Sequence, residues 1–351
     1  MVSMECIILA GGYGTRLRPL TYTRQKVLIP VMNKPMIMHI IDALPESVDR
    51  VIVAANYKKE QIRDYFSKHD TGREIIINDE PVPLGTAGAV KHAEKYIDAT
   101  FMVVNSDIVS SLDIGKFTES HRKKGAFATI SLWQVDDIRE FGVVSLEPDS
   151  RITCFVEKPR PEDAPSNLIN SGHYCLDYET LDMIPKGRMV SMEKEIFPRI
   201  IAEHGRFFGY RFPGYWIDVG KFSNYILAHR MIMDSEGIRF KTGDNCNVLG
   251  KGDYSCIGNS VGTGSGSVLR NCVVFNDVKV GDGAIITDSV IGQGCRVGKG
   301  CTLKNVVLGD EHDISEGARM ENRVVWEKPV PEGYPDSQVG NVIDNKYAKK
   351  A

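Results

Sequence analysis

Residues 290–310 read VIGQGCRVGKGCTLKNVVLGD, and their spacing decides the architecture of the C-terminal third. Ile291, Val297 and Leu303 stand six apart, and Leu308 follows five later. Glycine comes directly after the aliphatic residue at positions 292, 298 and 309. A surface helix would repeat its apolar residues every three or four positions, and a hairpin strand every two. A six-residue recurrence with glycine beside the aliphatic instead marks a parallel β-helix, whose inward side chains stack coil upon coil.

Working outward, Val268, Val274, Val280 and Ile286 form another six-spaced run, and Leu308, Ile314 and Met320 a third. The strings IGNSVG and VGDG repeat the aliphatic-glycine pair upstream. A β-helix domain is therefore expected over 245–322, with a junction near 232–244 and a C-terminal tail over 323–351. A stack of so few coils needs its ends covered, by the tail after Asn322 or by another subunit.

Before residue 232 the rhythm is α/β. Apolar runs at 5–10, 51–55, 74–77, 101–104 and 127–133 read as strands, and 35–44, 58–68 and 86–97 as helices between them. That alternation predicts a mostly parallel, Rossmann-like sheet covered on both faces, with ligands beyond the carboxyl ends of its strands. The first strand runs straight into LAGGYGTRLRPLTYTRQK, residues 9–26. Glycines this dense let backbone N–H groups approach a phosphate. The loop fits neither common phosphate fingerprint, since Leu17 stands where a dinucleotide loop has glycine and no Gly-Lys-Ser/Thr follows. Arg16, Arg18 and the delayed Lys26 supply positive charge instead.

Other strand ends carry further chemistry. FMVVNSD delivers Asp107, a carboxylate suited to Mg²⁺ or else a turn or helix-cap aspartate. FVEKPRP places Glu157 and Lys158 before a proline, which predicts an extended, presented lysine or a solvated one on an edge strand. GYWIDVG brings Asp218, a second metal ligand or the cap of a helix starting near Lys221.

Composition narrows the partners. The 351 residues carry a net charge of −3 with basic residues dispersed, which argues against a nucleic-acid partner. No apolar stretch has the length to span a membrane, and the N-terminal apolar run is short for a signal peptide. Eight scattered cysteines without a C-x-x-C pair predict free thiols in a reducing cytoplasm.

Taken in order, LAGGYGTRLRPLT, Lys26 with VLIPVMNKPM, LGTAGAV, VNSD, EFGVV, VEKP, NSG and WIDVG resemble the sugar-1-phosphate nucleotidylyltransferases, or nucleotide-sugar pyrophosphorylases. The resemblance covers about the first 230 residues, and hexapeptide repeats occur in many members. It implies a GT-A-like catalytic domain over 1–232 followed by a short left-handed β-helix. It also implies attack of a sugar 1-phosphate on the α-phosphate of a nucleoside triphosphate, releasing pyrophosphate. Arg16, Lys26 and Lys158 are then the catalytic cations, and Asp107 and Asp218 the Mg²⁺ ligands. Leu9, Gly11, Gly12, Gly14, Thr15, Gly85 and Thr86 match nucleotide-binding positions, and Gly142, Glu157, Lys158, Asn170 and Gly172 sugar-phosphate positions. Gly142 and Gly172 read equally as bulge glycines.

EPVPLGTAGAV looks most like the GDP-mannose pyrophosphorylase branch, implying GTP and mannose 1-phosphate. Uridylyl-, thymidylyl- and adenylyltransferases, or a non-catalytic sugar-nucleotide-sensing subunit, are the alternatives. The chain departs from the family at Ser106, usually glycine, and at Gln25, often proline. An acyltransferase role for the β-helix would need a histidine base, and His312 is the only histidine beyond residue 230. The repeats are expected to mediate self-association into a homo-oligomer. Deletion after about residue 240 is accordingly expected to alter assembly more than chemistry.

Overall fold

The computed structural model describes residues 4–80 and 82–331. Packing divides the chain into two compact units, Met1–Gly12 with Ile37–Trp216 and Tyr13–Met36 with Ile217–Ala351. The glycine loop thus belongs to both, since the division falls between Gly12 and Tyr13.

The first unit is built on a nine-stranded sheet. Met4–Leu9 lies at its centre, parallel to Val48–Ala55 on one side and Phe101–Asn105 on the other. Val48–Ala55 in turn pairs in parallel with Glu74–Asp79. These four strands carry the expected β-rich runs, and Lys59–Lys68 and Gly85–His92 are two of the helices of the α/β pattern. Beyond Phe101–Asn105 the sheet turns mixed. The long strand Leu168–Leu176 runs antiparallel to Phe101–Asn105, Ala128–Gln134 and Gly142–Leu146. Ile7, Ile52, Val103, Ile130 and Tyr174 are fully buried in one cluster, as expected for strands covered on both faces.

In the second unit a parallel β-helix runs from Phe240–Thr242 to Arg319–Val325. Ile257, Val274, Ile291, Leu308 and Val325 pair in register, as do Val280, Val297 and Ile314. Successive coils are 17 residues apart, made of two six-residue faces and one of five. This geometry corrects one expected position. Leu269, paired with Ile286, is the inward residue, whereas Val268 is only half-buried. The five-residue side falls between Leu269 and Val274, so counting back six lands one residue short and on the opposite face of the strand. The expected C-terminal tail lies outside the described residues from 332 onward.

Segment 13–36 packs within this second unit. Asn33 donates to the Ile257 carbonyl at 2.8 Å, and the buried Tyr225 hydroxyl donates to the Pro30 carbonyl. Tyr225 belongs to the helix Phe222–Glu236 that leads into the first coil.

Candidate active site

In the first unit, site residues gather at the carboxyl ends of the central strands. Leu9 ends its strand opposite Asn105, and its carbonyl accepts the Ser106 amide at 3.3 Å. Asp107 follows in the same turn, half-buried. It is not a helix cap: the next helix, Ile114–Lys123, is capped by Asp113. Gly11 approaches the carboxyl of Glu80, since a Cβ there would lie 3.5 Å from Glu80 Oε1. Gly12 is exposed, with open space where a Cβ would stand. Glu80 was missed in the sequence reading although it opens the string EPVPLGTAGAV. It is 5 % exposed, and burial raises its pKa above the ordinary carboxylate range, opposed by the Leu84 amide.

Gly85 and Thr86 begin the helix Gly85–His92. Gly85 has φ +73, and a Cβ would meet the Val190 carbonyl at 2.6 Å, so only glycine permits that approach. The Thr86 hydroxyl donates to Glu193 Oε2 at 2.8 Å and accepts the Met192 amide at 2.8 Å. Glu193 Oε1 in turn accepts from the Tyr174 hydroxyl at 3.4 Å, and Tyr174 accepts from Asn170 Nδ2 at 3.0 Å. One hydrogen-bond chain therefore joins an expected nucleotide residue to an expected sugar residue. Glu193 carried no sequence signal because it lies in a single π-helical turn, Met192–Ile196, rather than in a glycine-rich motif.

Glu157 pairs across the sheet with Gly142. Desolvation first, and then the charge of Glu193, raises the Glu157 pKa. The Gly142 pair is regular, so the bulge explanation fails there; a Cβ would lie 2.4 Å from Phe155 Cζ, and glycine is a packing requirement. Gly172 does sit in a bulge, between the register breaks at Asn170 and Tyr174, with φ +85. Its amide donates to Asn170 Oδ1 at 3.0 Å.

Lys158 corrects another expectation. Its backbone is left-handed, φ +51, not extended, although proline follows. The Lys158 amide donates to the Phe141 carbonyl at 3.0 Å, and this bond holds the turn. Its ammonium is exposed, 3.9 Å from Glu157 Oε1. A non-glycine residue held at positive φ is a strained position of the kind found at ligand clamps.

The second unit holds the remaining cations. Gly14 is left-handed, φ +65, and a Cβ would lie 2.7 Å from Thr21 Cγ2 and 3.2 Å from Lys26 Cβ. Thr21 Oγ1 donates to the Gly14 carbonyl at 3.0 Å, closing the turn beside Lys26. Gln25, in place of proline, is buried and uses its Oε1 to accept the Val27 amide at 2.6 Å, so the departure supplies its own turn. Thr15 and Arg16 are exposed in the turn Thr15–Leu17, and the Arg18 guanidinium packs 5.8 Å from the Tyr22 ring. A Cβ on Gly220 would lie 2.7 Å from the Arg16 guanidinium and 2.9 Å from Asp218 Oδ1, so these opposite charges are near neighbours. Asp218 does not cap the following helix. Lys221 holds that position, without a side-chain bond.

Among the described residues no group of three or more His, Cys, Asp or Glu side chains is placed to hold a metal. Mg²⁺ bound by one or two carboxylates with substrate phosphate requires no such group, and Asp107 in the first unit and Asp218 in the second are each a half-buried carboxylate of the kind it takes. His312 is buried, with Nδ1 donating to the Gly309 and Asp310 carbonyls and Nε2 accepting the Glu327 amide at 3.0 Å. Both ring nitrogens are engaged, which removes the candidate acyltransferase base. No described helix is long and apolar enough to cross a membrane.

A mixed sheet with a parallel centre, a glycine loop after its central strand and carboxylates at neighbouring strand ends fits a nucleotide-handling class, and the comparisons agree. The Nucleotidyl transferase family profile matches residues 5–235, and the chain belongs to that family. The GMPPB C-terminal domain profile matches residues 240–335. The probable mannose-1-phosphate guanylyltransferase 1 of Oryza sativa subsp. japonica is 40% identical over 240 residues, covering 66% of this chain and 65% of that protein. The probable mannose-1-phosphate guanylyltransferase 3 of the same plant is 37% identical over 282 residues, covering 78% and 75%. The chain thus spans just under two thirds, 65%, of the length of the first of these relatives. Among solved structures, HddC from Yersinia pseudotuberculosis is 32% identical with a TM-score of 0.54, covering 64% of this chain and 97% of that one.

Proposed function

We propose that the chain is a mannose-1-phosphate guanylyltransferase. A phosphate oxygen of mannose 1-phosphate forms a bond to the α-phosphorus of GTP, the α–β bond breaks, and pyrophosphate leaves with its electron pair. No general base is needed, because the attacking phosphate is already ionised. The protein's task is positioning and charge stabilisation.

The observation that carries the guanine assignment is Glu80, buried beside Gly11 in the first turn after the central strand. Guanine offers adjacent N1–H and N2–H donors that suit the two acceptor oxygens of one carboxylate. A uracil or thymine edge places carbonyls beside its single N–H, and adenine places an acceptor there. The same carboxylate would disfavour both. HddC, also solved with GMP-PN, supports a guanine nucleotide as ligand of this fold.

In this reading Arg16 and Lys26 neutralise the triphosphate, and the glycine loop donates backbone N–H groups to it. Lys158 holds the sugar phosphate, while Gly142, Glu157, Asn170 and Gly172, with Glu193 behind them, receive the sugar hydroxyls. Asp107 and Asp218 are the residues to hold Mg²⁺, which when bound supplies Lewis-acid stabilisation of phosphate charge. Eight free cysteines support a reducing, cytoplasmic setting. The exposed Leu249 and Ile285 on the β-helix support homo-oligomer formation through it.

The reverse reaction tests the proposal. GDP-mannose with pyrophosphate should yield GTP in the presence of Mg²⁺. Faster cleavage of UDP-glucose or dTDP-glucose would contradict it.

A further inference from the structure

Asp310 makes contacts that its place in the β-helix does not require. At one corner of the coil stack a side-chain oxygen accepts a backbone N–H from the coil before it. Asn259 accepts from Asp244, Asn276 from Asn259 and Asp310 from Gln293, each at 2.8 Å. Asparagine does this work at two positions, so the coil itself has no need of a charge. The second oxygen, Asp310 Oδ2, is used elsewhere: it accepts Thr23 Oγ1 at 2.6 Å and pairs with the Arg24 guanidinium. The carboxylate is buried, and Arg24 lies 4.7 Å from the centre of the Phe275 ring. Charge-assisted bonds in such a setting are the strong, geometry-fixing kind.

What this carboxylate grips is the stretch leading into Lys26. Thr23 and Arg24 lie between Thr21, which closes the Gly14 turn, and Lys26, whose stem packs against Gly14. The neighbouring surface is also shared. Trp326 of the last coil packs 5.2 Å from the Tyr22 ring, and a Cβ on Gly309 would meet Trp326 and Pro19.

We propose that Asp310 is a positioning residue for nucleotidyl transfer, fixing Lys26 and the Gly14 turn through Thr23 and Arg24. The β-helix then takes part in the chemistry without touching substrate. The inference rests on the assignment of Lys26 to the triphosphate under the proposed function.

The test is Asp310→Asn in the full chain. It keeps an oxygen for the Gln293 amide but turns an N–H₂ group toward Arg24. The expected result is a fall in kcat of about tenfold or more at saturating GTP, as for a small displacement of a catalytic group. The KM for mannose 1-phosphate should stay within about twofold of wild type. Because the variant leaves the buried Arg24 charge uncompensated, its melting temperature should fall, so kcat is read well below that temperature. Arg24→Met should lose a similar factor, and the double variant should be no worse than either single one, because both break one interaction. Asp282→Ala serves as the structural control, since Asp282 Oδ1 accepts the Ser265 amide at 2.9 Å across coils, a bond of the same kind. It should lower the melting temperature and leave kcat unchanged. Wild-type kcat in Asp310→Asn, or an equal kcat loss in Asp282→Ala, would overturn the inference. Lys26→Met separates it from the underlying reading. An active Lys26→Met enzyme refutes the role of Lys26 itself, whereas an inactive one beside a normal Asp310→Asn refutes only the positioning.

Discussion

Glu80 and Gly11 face each other so closely that a methyl group on Gly11 would stand 3.5 Å from Glu80 Oε1. The buried carboxylate thereby lies against the turn where the glycine loop begins. Under the proposed function, Glu80→Gln would replace one acceptor oxygen by a donor facing the guanine N–H groups. We expect kcat/KM for GTP to fall about ten- to a hundredfold, with UTP changing far less. The Glu80 pKa is raised by burial, so the wild-type KM for GTP should climb on acidification sooner than an ordinary carboxylate would allow, and Glu80→Gln should lack that climb. The stability effect has the opposite sense. A raised carboxyl pKa costs stability as pH rises through it, so the glutamine variant should melt no lower than wild type at neutral pH. Unchanged nucleotide preference in Glu80→Gln would remove the basis for guanine recognition.

Glu193 accepts from Thr86 and Ser191 while facing Tyr174. Glu193→Gln should raise the KM for mannose 1-phosphate several-fold, roughly the cost of one charge-assisted hydrogen bond. It should also move the Glu157 pKa back toward its ordinary value, because the Glu193 charge is one cause of the rise. Steady-state kinetics across pH reads both effects, and an unaltered sugar-phosphate KM would make Glu193 a purely structural residue.

Burial holds the imidazoles of His121 and His173 down at about 4, from an ordinary 6.5. The unfolded chain therefore takes up protons below pH 6.5 that the folded chain refuses until about pH 4. Their contribution to stability is complete above the upper value and lost as pH falls to the lower one. Glu80 and Glu157, with raised pKa values, act in the opposite direction in acid, so a wild-type melting curve alone mixes the terms. The informative measurement is the difference between wild type and His121→Asn. The variant, which keeps a partner for Thr129, should lose less stability between neutral pH and mildly acid pH. Parallel curves would contradict the buried neutral histidine.

Truncation after residue 240 now carries a different expectation from the one composition and repeats suggest. Segment 13–36 packs in one unit with the β-helix, and Asn33, Thr23 and Arg24 would lose Ile257 and Asp310. A chain ending near 240 should therefore lose at least about tenfold in kcat/KM, whatever happens to assembly. A truncated protein with near-native kinetics would restore the view that the repeats serve self-association alone.

The legible parts of this fold were those with a strong local period. The 17-residue coil shows itself as six, six and five because each inward aliphatic repeats the same corner, and the central strands as short apolar runs. What escaped was set by pairing over long distances. Leu269 rather than Val268 faces inward because of its partner Ile286, which no local count reveals. Lys158 turns left-handed against the pre-proline expectation because its amide meets Phe141. Glu193 lies in a stretch without motif character, and Asp310 reads in the hexapeptide repeat as one more coil residue. Each acquires its meaning only through a distant partner, Thr86 for the one and Thr23 with Arg24 for the other. Glu80 was in plain view, but only its burial beside Gly11 separates it from a surface glutamate.

The most direct measurement is pyrophosphate release with Mg²⁺ across GTP, ATP, UTP and dTTP, each paired with mannose 1-phosphate and glucose 1-phosphate. The highest kcat/KM is expected for GTP with mannose 1-phosphate. Release from no pair, or a clear preference for UTP, dTTP or ATP, would contradict the assignment.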